Sequence, residues 1–267
     1  MEVNVAPVLP VIAQTNVNVL ALLTVSNTAT ESNIHSTVGY TLVNPPAGAS
    51  INANGIITWT PGLPQGPGTN LITTVVTNFN PYDLLNPSLS ATNSFTVIVF
   101  ALTLAPSGNH TVNVGQTVSF TASATDNDST RTLTFSLGTA PAGATIVPAS
   151  GLFNWRPPVS NAGSSNNMQV LVTANSTPSV SATQSFYVLV NALTPVTLVP
   201  VSINTTQFQM EVTGPIGPDY FLQANGSLAN TNWLNLLTNT PAVSPFSVTD
   251  TNVSVFTNRF YRVKLGP

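Results

Sequence analysis

Tyr40-Thr-Leu-Val-Asn-Pro-Pro46-Ala-Gly48-Ala-Ser-Ile51, followed closely by Gly55-Ile-Ile-Thr-Trp59-Thr-Pro61, is the stretch on which the fold turns. It returns 95 residues later as Phe135-Ser-Leu-Gly-Thr-Ala-Pro141-Ala-Gly143-Ala-Thr-Ile146. After one inserted residue the return continues as Gly151-Leu-Phe-Asn-Trp155-Arg-Pro157. Upstream, Val17-Asn-Val19 matches Val112-Asn-Val114. Downstream, Ala91-Thr-Asn-Ser-Phe95-Thr-Val-Ile-Val99 matches Ala182-Thr-Gln-Ser-Phe186-Tyr-Val-Leu-Val190. Agreement at four separate places marks an internal duplication.

Within each copy the pattern is that of short strands. Val118, Phe120 and Ala122 alternate with Ser119 and Thr121, as do Phe95, Val97 and Val99 with their neighbours, which is the period of a half-buried strand. Pro-Ala-Gly-Ala reads as a turn in both copies, and no segment has convincing helical periodicity. About seven strands in about 95 residues is the size of an immunoglobulin-like sandwich. From about Leu193 the chain changes. Phe208-Gln-Met210-Glu-Val212, Tyr220-Phe-Leu222-Gln-Ala224, Phe246-Ser-Val248 and Arg259-Phe-Tyr261-Arg-Val263-Lys-Leu265 predict strands, separated by turns at Gly214–Pro218 and Asn225-Gly226, and none aligns with the duplicated copies. The expectation is therefore an all-β chain: two homologous β-sandwiches at 1–101 and 102–192, then a smaller, different β-sandwich at 193–267.

Composition narrows the class. Only 5% of the 267 residues are charged, where an average globular protein has about 25%. Asn, Thr and Ser fill the polar positions, and 42% hydrophobic residues suffice for packed cores. With one lysine and four arginines no basic patch of the kind nucleic acid or anionic membrane requires is possible. No cysteine is present, which excludes disulfides, thiolate metal sites and cysteine catalysis. No stretch reaches the roughly 18 apolar residues of a membrane span. No leader is visible after Met1-Glu2, so the sequence reads as a chain with its leader removed or as a fragment.

The residues Ala-Thr-Asp126-Asn-Asp128, Phe135-Ser-Leu, Pro141-Ala-Gly-Ala, Gly151-Leu-Phe-Asn-Trp155-Arg-Pro157 and Ser185-Phe-Tyr-Val-Leu-Val190 resemble the immunoglobulin/cadherin-like repeats of large bacterial surface proteins. The first copy is similar, with Glu31 and Asn33 in place of Asp126 and Asp128. Tyr220-Phe-Leu-Gln-Ala, Leu228-Ala-Asn-Thr-Asn-Trp233 and Arg259-Phe-Tyr-Arg262 resemble a C-terminal β module of secreted proteins of some environmental bacteria. The resemblance implies an extracellular or cell-surface location. It leaves function open among spacers, adhesins and appendages of enzymes.

The acids are Glu2, Glu31, Asp83, Asp126, Asp128, Glu211, Asp219 and Asp250, and no motif pairs two of them for hydrolysis except Asp126 with Asp128. His35 and His110 lie in different copies at non-equivalent positions, and nothing resembles a nucleophile elbow. Asp126-Asn-Asp128 has the Asp-x-Asp spacing of calcium loops, but the family's other acidic turn is replaced by Thr77-Asn-Phe and Thr173-Ala-Asn, and capping of turn amides is the preferred reading. Trp59 and Trp155 read as core, with a sugar-stacking platform as the alternative, and Trp233 is open to either. Lys264, the sole lysine, rules out intramolecular isopeptide bonds in the first two copies. The six Asn-x-Ser/Thr matches (Asn109, Asn127, Asn175, Asn204, Asn225, Asn252) are expected by chance in such a composition. No catalytic, cofactor-binding or metal residue is assigned, no cofactor is implied, and the chain is expected not to be an enzyme.

The function expected is that of a structural subunit of an extracellular filament or cell-surface assembly. Its partners would be copies of itself or other surface components, with no nucleic acid and no membrane insertion. The extended apolar segment Val3–Ile12 would either add a strand to a neighbour or complete its own sandwich. The alternative is an adhesin or carbohydrate-binding module of a larger secreted protein.

Overall fold

The computed structural model describes residues 2–176, 179–255 and 257–267. The chain forms two compact units. One comprises Met1–Thr103, Thr125–Arg131 and Asn175–Val180, the other Leu104–Ala124, Thr132–Ala174 and Ser181–Pro267.

The first unit carries the first copy. Its strands are β1 (Thr15–Asn18), β2 (Leu23–Ser26), β3 (Thr37–Val43), β4 (Ser50–Ile51), β5 (Ile56–Trp59), β6 (Gly68–Phe79) and β7 (Ser90–Phe100). They make a four-stranded sheet, β1-β7-β6-β3, and a three-stranded sheet, β2-β5-β4. β1 runs parallel to β7, and the other pairs are antiparallel. Alternation places Val17, Leu23, Ile57, Trp59, Ile72, Phe95, Val97 and Val99 in one buried cluster between the sheets.

β8 (Leu102–Leu104) leads out of the first copy and pairs with β11. The second copy supplies β9 (His110–Val112), β10 (Val118–Thr121), β11 (Ala124–Asp126), β12 (Leu133–Leu137), β13 (Thr145–Ile146), β14 (Leu152–Trp155), β15 (Ser165–Ala174) and β16 (Val180–Val190). The order β9-β16-β15-β12 with β10-β14-β13 reproduces the topology of the first copy, including the parallel β9–β16 pair. Its core centres on aromatics. Phe153 stacks on Phe120 at 4.9 Å and meets the edge of Phe186 at 5.6 Å. The duplication read from the sequence is therefore a duplication of strand order and sheet membership.

The C-terminal segment folds as β17 (Thr197–Ile203), β18 (Phe208–Thr213), β19 (Asp219–Asn225), β20 (Leu234–Asn239), β21 (Phe246–Asp250) and β22 (Phe260–Gly266). Two three-stranded sheets, β17-β18-β21 and β20-β19-β22, enclose Met210, Val212, Tyr220, Leu222 and Val248. Four of these strands fall where the sequence placed them. β17 and β20 were not foreseen. Among the described residues the only helical pieces are two single 3-10 turns, Leu63–Gln65 and Val159–Asn161.

Inside the second unit the C-terminal sandwich is clamped to the second copy. Arg156 follows β14 and grips Asp219 with both terminal nitrogens, at 2.9 and 2.8 Å, while its Nε donates to the Gly115 carbonyl at 2.7 Å. Gly115 has φ +74°, and a Cβ there would come within 2.2 Å of the Gly217 carbonyl oxygen, so a side chain would force the two backbones apart. The first copy carries Leu20 and Thr60 at these positions. Leu20 keeps the left-handed backbone, with φ 62°, but no clamp is built on it.

Candidate functional site

The repeated tryptophans are core. Trp59 and Trp155 are each 1% exposed, which removes them as a sugar-stacking platform. Their indoles explain the repeated motif. Trp59 Nε1 donates to the Ala47 carbonyl at 3.1 Å, and Trp155 Nε1 donates to the Ala142 carbonyl at 3.2 Å. Each acceptor sits in the Pro-Ala-Gly turn, so the turn and the tryptophan recur together because one satisfies the other's polar atom. Trp233 differs. It is half-buried beside β20, with the Arg262 guanidinium 4.2 Å from its ring centre.

The Asp126–Arg131 loop lies in the first unit. Asp126 Oδ1 accepts the Asp128 N–H at 2.9 Å, and Asp128 Oδ1 accepts the Thr130 N–H at 3.0 Å and its hydroxyl at 2.6 Å. Arg131 places its guanidinium between the two carboxylates, 3.4 Å from Asp126 and 3.1 Å from Asp128. It also donates to Asn18 Oδ1 at 2.7 Å and lies over the Phe100 ring. The Thr130 hydrogen bonds, opposed by burial and assisted by Arg131, hold the Asp128 carboxyl below its ordinary range. These acids cap turn amides and pair with a guanidinium. Among the described residues no three acidic, histidine or cysteine side chains converge as ligands of a metal would. The first copy keeps the turn and drops the cation. Glu31 Oε1 accepts the Asn33 N–H at 2.8 Å, and Ser36 stands opposite Arg131.

The N-terminal segment completes its own module. Val8 and Thr30 exchange backbone hydrogen bonds at 2.9 and 2.8 Å. Asn4, 6% exposed, donates its N–H to Asp83 at 2.8 Å and trades side-chain hydrogen bonds with Asn78, itself 1% exposed. Asn78 also donates to the Val5 carbonyl and to Glu31. Backbone hydrogen bonds from Asn4, Asn86 and Leu85 hold the Asp83 carboxyl below its ordinary range against the opposing effect of burial. Farther out, His35 pairs through Nδ1 with Glu2 at 2.9 Å and packs on Tyr82. His110 stacks on Phe120 in the second copy. Both histidines thus serve packing.

One exposed apolar edge strand lies outside the strands that the sequence predicts. β17 is the edge of its sheet, bonded to β18 on one side only. Its residues Thr-Leu-Val-Pro-Val-Ser-Ile carry no charge, and Val199, Val201 and Ile203 are 51%, 55% and 75% exposed. Pro200 conceals this strand in the sequence because proline reads as a breaker, yet an edge tolerates it. Arg131 and Arg156 were missed for a different reason. The signal was present, since both are places where the two copies differ, Ser36 and Thr60 standing opposite them.

Residues 101–191 match the family described as "Putative Ig domain", which upholds the immunoglobulin-like resemblance read from the sequence. Among solved structures, mouse cadherin-23 EC22-24 is similar at 22% identity and a TM-score of 0.36, over 70% of this chain and 64% of that one. A SusE-like surface-located polysaccharide-binding protein from the Bacteroides thetaiotaomicron heparin utilisation locus is similar at 14% identity and a TM-score of 0.36, over 85% of this chain and 43% of that one. Drosophila N-cadherin EC1-4 is similar at 13% identity and a TM-score of 0.37, over 70% of this chain and 50% of that one. The chain thus spans less than two thirds of each of these three structures. No curated protein matches its sequence.

Proposed function

We propose that this chain is a non-enzymatic structural element of an extracellular surface assembly, and that it associates with copies of itself along the β17 edge. The observation that carries the reading is the seven-residue, uncharged edge strand with three exposed branched apolar side chains. Folded proteins ordinarily guard such an edge with charge, bulge, proline or cover, because its unpaired amides and carbonyls template another strand; β17 has a bulge between Pro200 and Ser202 but carries no charge. A nearly uncharged surface adds little repulsion between neighbours. The N-terminal segment, held by Asn4, Asn78 and Asp83, supports its own module and leaves the edge strand as the contact.

Sedimentation velocity and negative-stain microscopy of the full chain test this. The expected result is concentration-dependent association that Val201→Lys abolishes while the thermal midpoint stays unchanged. A chain that remains monomeric, or a Val201→Lys variant that associates as the parent does, overturns it.

A further inference from the structure

The cations of this chain are few enough to follow one by one. Among the described residues, ion pairs take up Arg131, Arg156 and Arg259. Arg262 and Lys264 belong to none of these pairs. Both are exposed, and they stand two positions apart on β22, on the outer face of the β20-β19-β22 sheet. Strand register builds two rows across that face. Asn235, Gln223 and Arg262 form one row, and Thr238, Phe221 and Lys264 form the other. Side chains two apart on a strand project about 7 Å from each other, so the two cations present separate, adjacent positive points.

Arg262 is held in advance. Its Nε donates to Gln223 Oε1 at 2.9 Å, and its plane lies 4.2 Å from the Trp233 ring centre. Its two terminal nitrogens make no hydrogen bond within the fold among the described residues. Two terminal nitrogens can grip a carboxylate or sulfate through parallel hydrogen bonds, and fixing the guanidinium beforehand lowers the ordering cost of binding. Half-buried Phe221 and Trp233 offer apolar surface beside it, while the Gln223 amide nitrogen can donate to a hydroxyl and Asn235 Oδ1 can accept from one, the Asn235 nitrogen already donating to Thr238 at 2.9 Å.

We propose that this sheet face binds an acidic polysaccharide, with Arg262 taking the anionic group, Lys264 the next one along the chain, and the amides and aromatic rings the sugar hydroxyls and apolar faces. Two cations are too few for the phosphate tracking that nucleic acid requires. A second copy of this chain is a poor occupant. Seven of its eight acids already hold partners within the fold, and only Glu211 is left among the described residues. The site is independent of β17, which lies in the other sheet of the sandwich, so it can hold whether or not the chain polymerises.

Affinity electrophoresis of the full chain is the test. Gels would contain polygalacturonate as the carboxylate probe, heparin as the sulfate probe and dextran as the neutral control, with polyglutamate and duplex DNA as competitors. The expected result is retardation by at least one acidic glycan, relieved by salt, and none by dextran. Arg262→Lys keeps the charge but loses the fork, and is expected to weaken binding about tenfold. Lys264→Gln is expected to weaken it less, and unchanged thermal midpoints would show both variants folded. Which glycan retards the chain identifies the anion. Absence of retardation by both acidic glycans at low salt overturns the proposal, as does equal competition by polyglutamate or DNA, or an Arg262→Lys variant that binds like the parent.

Discussion

Trp155 and Ala142 are thirteen residues apart, and a single hydrogen bond explains why both recur in each copy. A buried indole N–H without an acceptor costs roughly 1–3 kcal/mol, and so does the carbonyl it would abandon. Trp155→Phe keeps most of the apolar burial but strands the Ala142 carbonyl. It is therefore expected to lower stability by about 1–2 kcal/mol, whereas Trp155→Ala empties a core position and is expected to cost about 3–5 kcal/mol. Denaturant unfolding of the two variants separates hydrogen bond from volume. The motif was legible in the sequence; the bond was not, because spacing shows recurrence but not which atom faces which. A pH response also belongs at this scale. Burial first, and then donation to Asp250, pushes the Tyr261 hydroxyl up from 10.0 to about 12. The folded state therefore holds this proton more tightly than the unfolded chain. The resulting stability is fully present below pH 10.0 and is lost as pH rises toward about 12. Ultraviolet titration of the phenolates should show a late component that Tyr261→Phe removes.

At the scale of elements, alternation and turn chemistry carried most of the fold. β7 and β16 were legible because one face of each is buried and the other wet, so apolar and polar residues alternate. β17 lacks that contrast. Nearly every residue of it is exposed, so its apolar side chains reflect a surface rather than a core. The N-terminal segment was ambiguous for a related reason. Prolines and valines suit any edge, and the choice between partners was made by buried asparagines that sequence patterns cannot pair. Asn78 is the pin. Asn78→Ala removes hydrogen bonds to Asn4, to Val5 and to Glu31 and leaves buried groups unsatisfied, at an expected cost of about 2–3 kcal/mol. The expected signature is local. Limited proteolysis should release the segment up to about Pro10 before the rest of the chain is cut. Uniform resistance equal to the parent would mean that other contacts hold it.

Across the whole molecule, the two copies share a topology while their arginines differ. A repeat must keep its core to fold, but its ends face different neighbours and diverge accordingly. In the second unit this divergence produced the Arg156–Asp219 clamp beside the Gly115–Gly217 approach. Replacing Arg156 by the first copy's residue, Arg156→Thr, tests the clamp with a side chain the fold is known to accept at that position. The Arg156 hydrogen bonds come first among the causes that hold the Asp219 carboxyl below its ordinary range. Burial opposes them, while the Thr240 hydroxyl and the charge of Arg156 assist. A carboxyl depressed in the folded state contributes stability that is present above its unfolded value near 3.8 and is lost as pH falls through the folded one. At neutral pH the substitution should therefore cost about 1–2 kcal/mol, modest because the pair is part-exposed. As pH falls through the depressed folded value the difference between variant and parent should shrink, since acid neutralises the partner. Thermal midpoints of the parent, Arg156→Thr, Asp219→Asn and the double variant, taken at neutral and acidic pH, give both the coupling and its titration. Additive losses at neutral pH, or a variant deficit that persists unchanged in acid, would show that backbone packing at Gly115, rather than the ion pair, holds the second copy to the C-terminal sandwich.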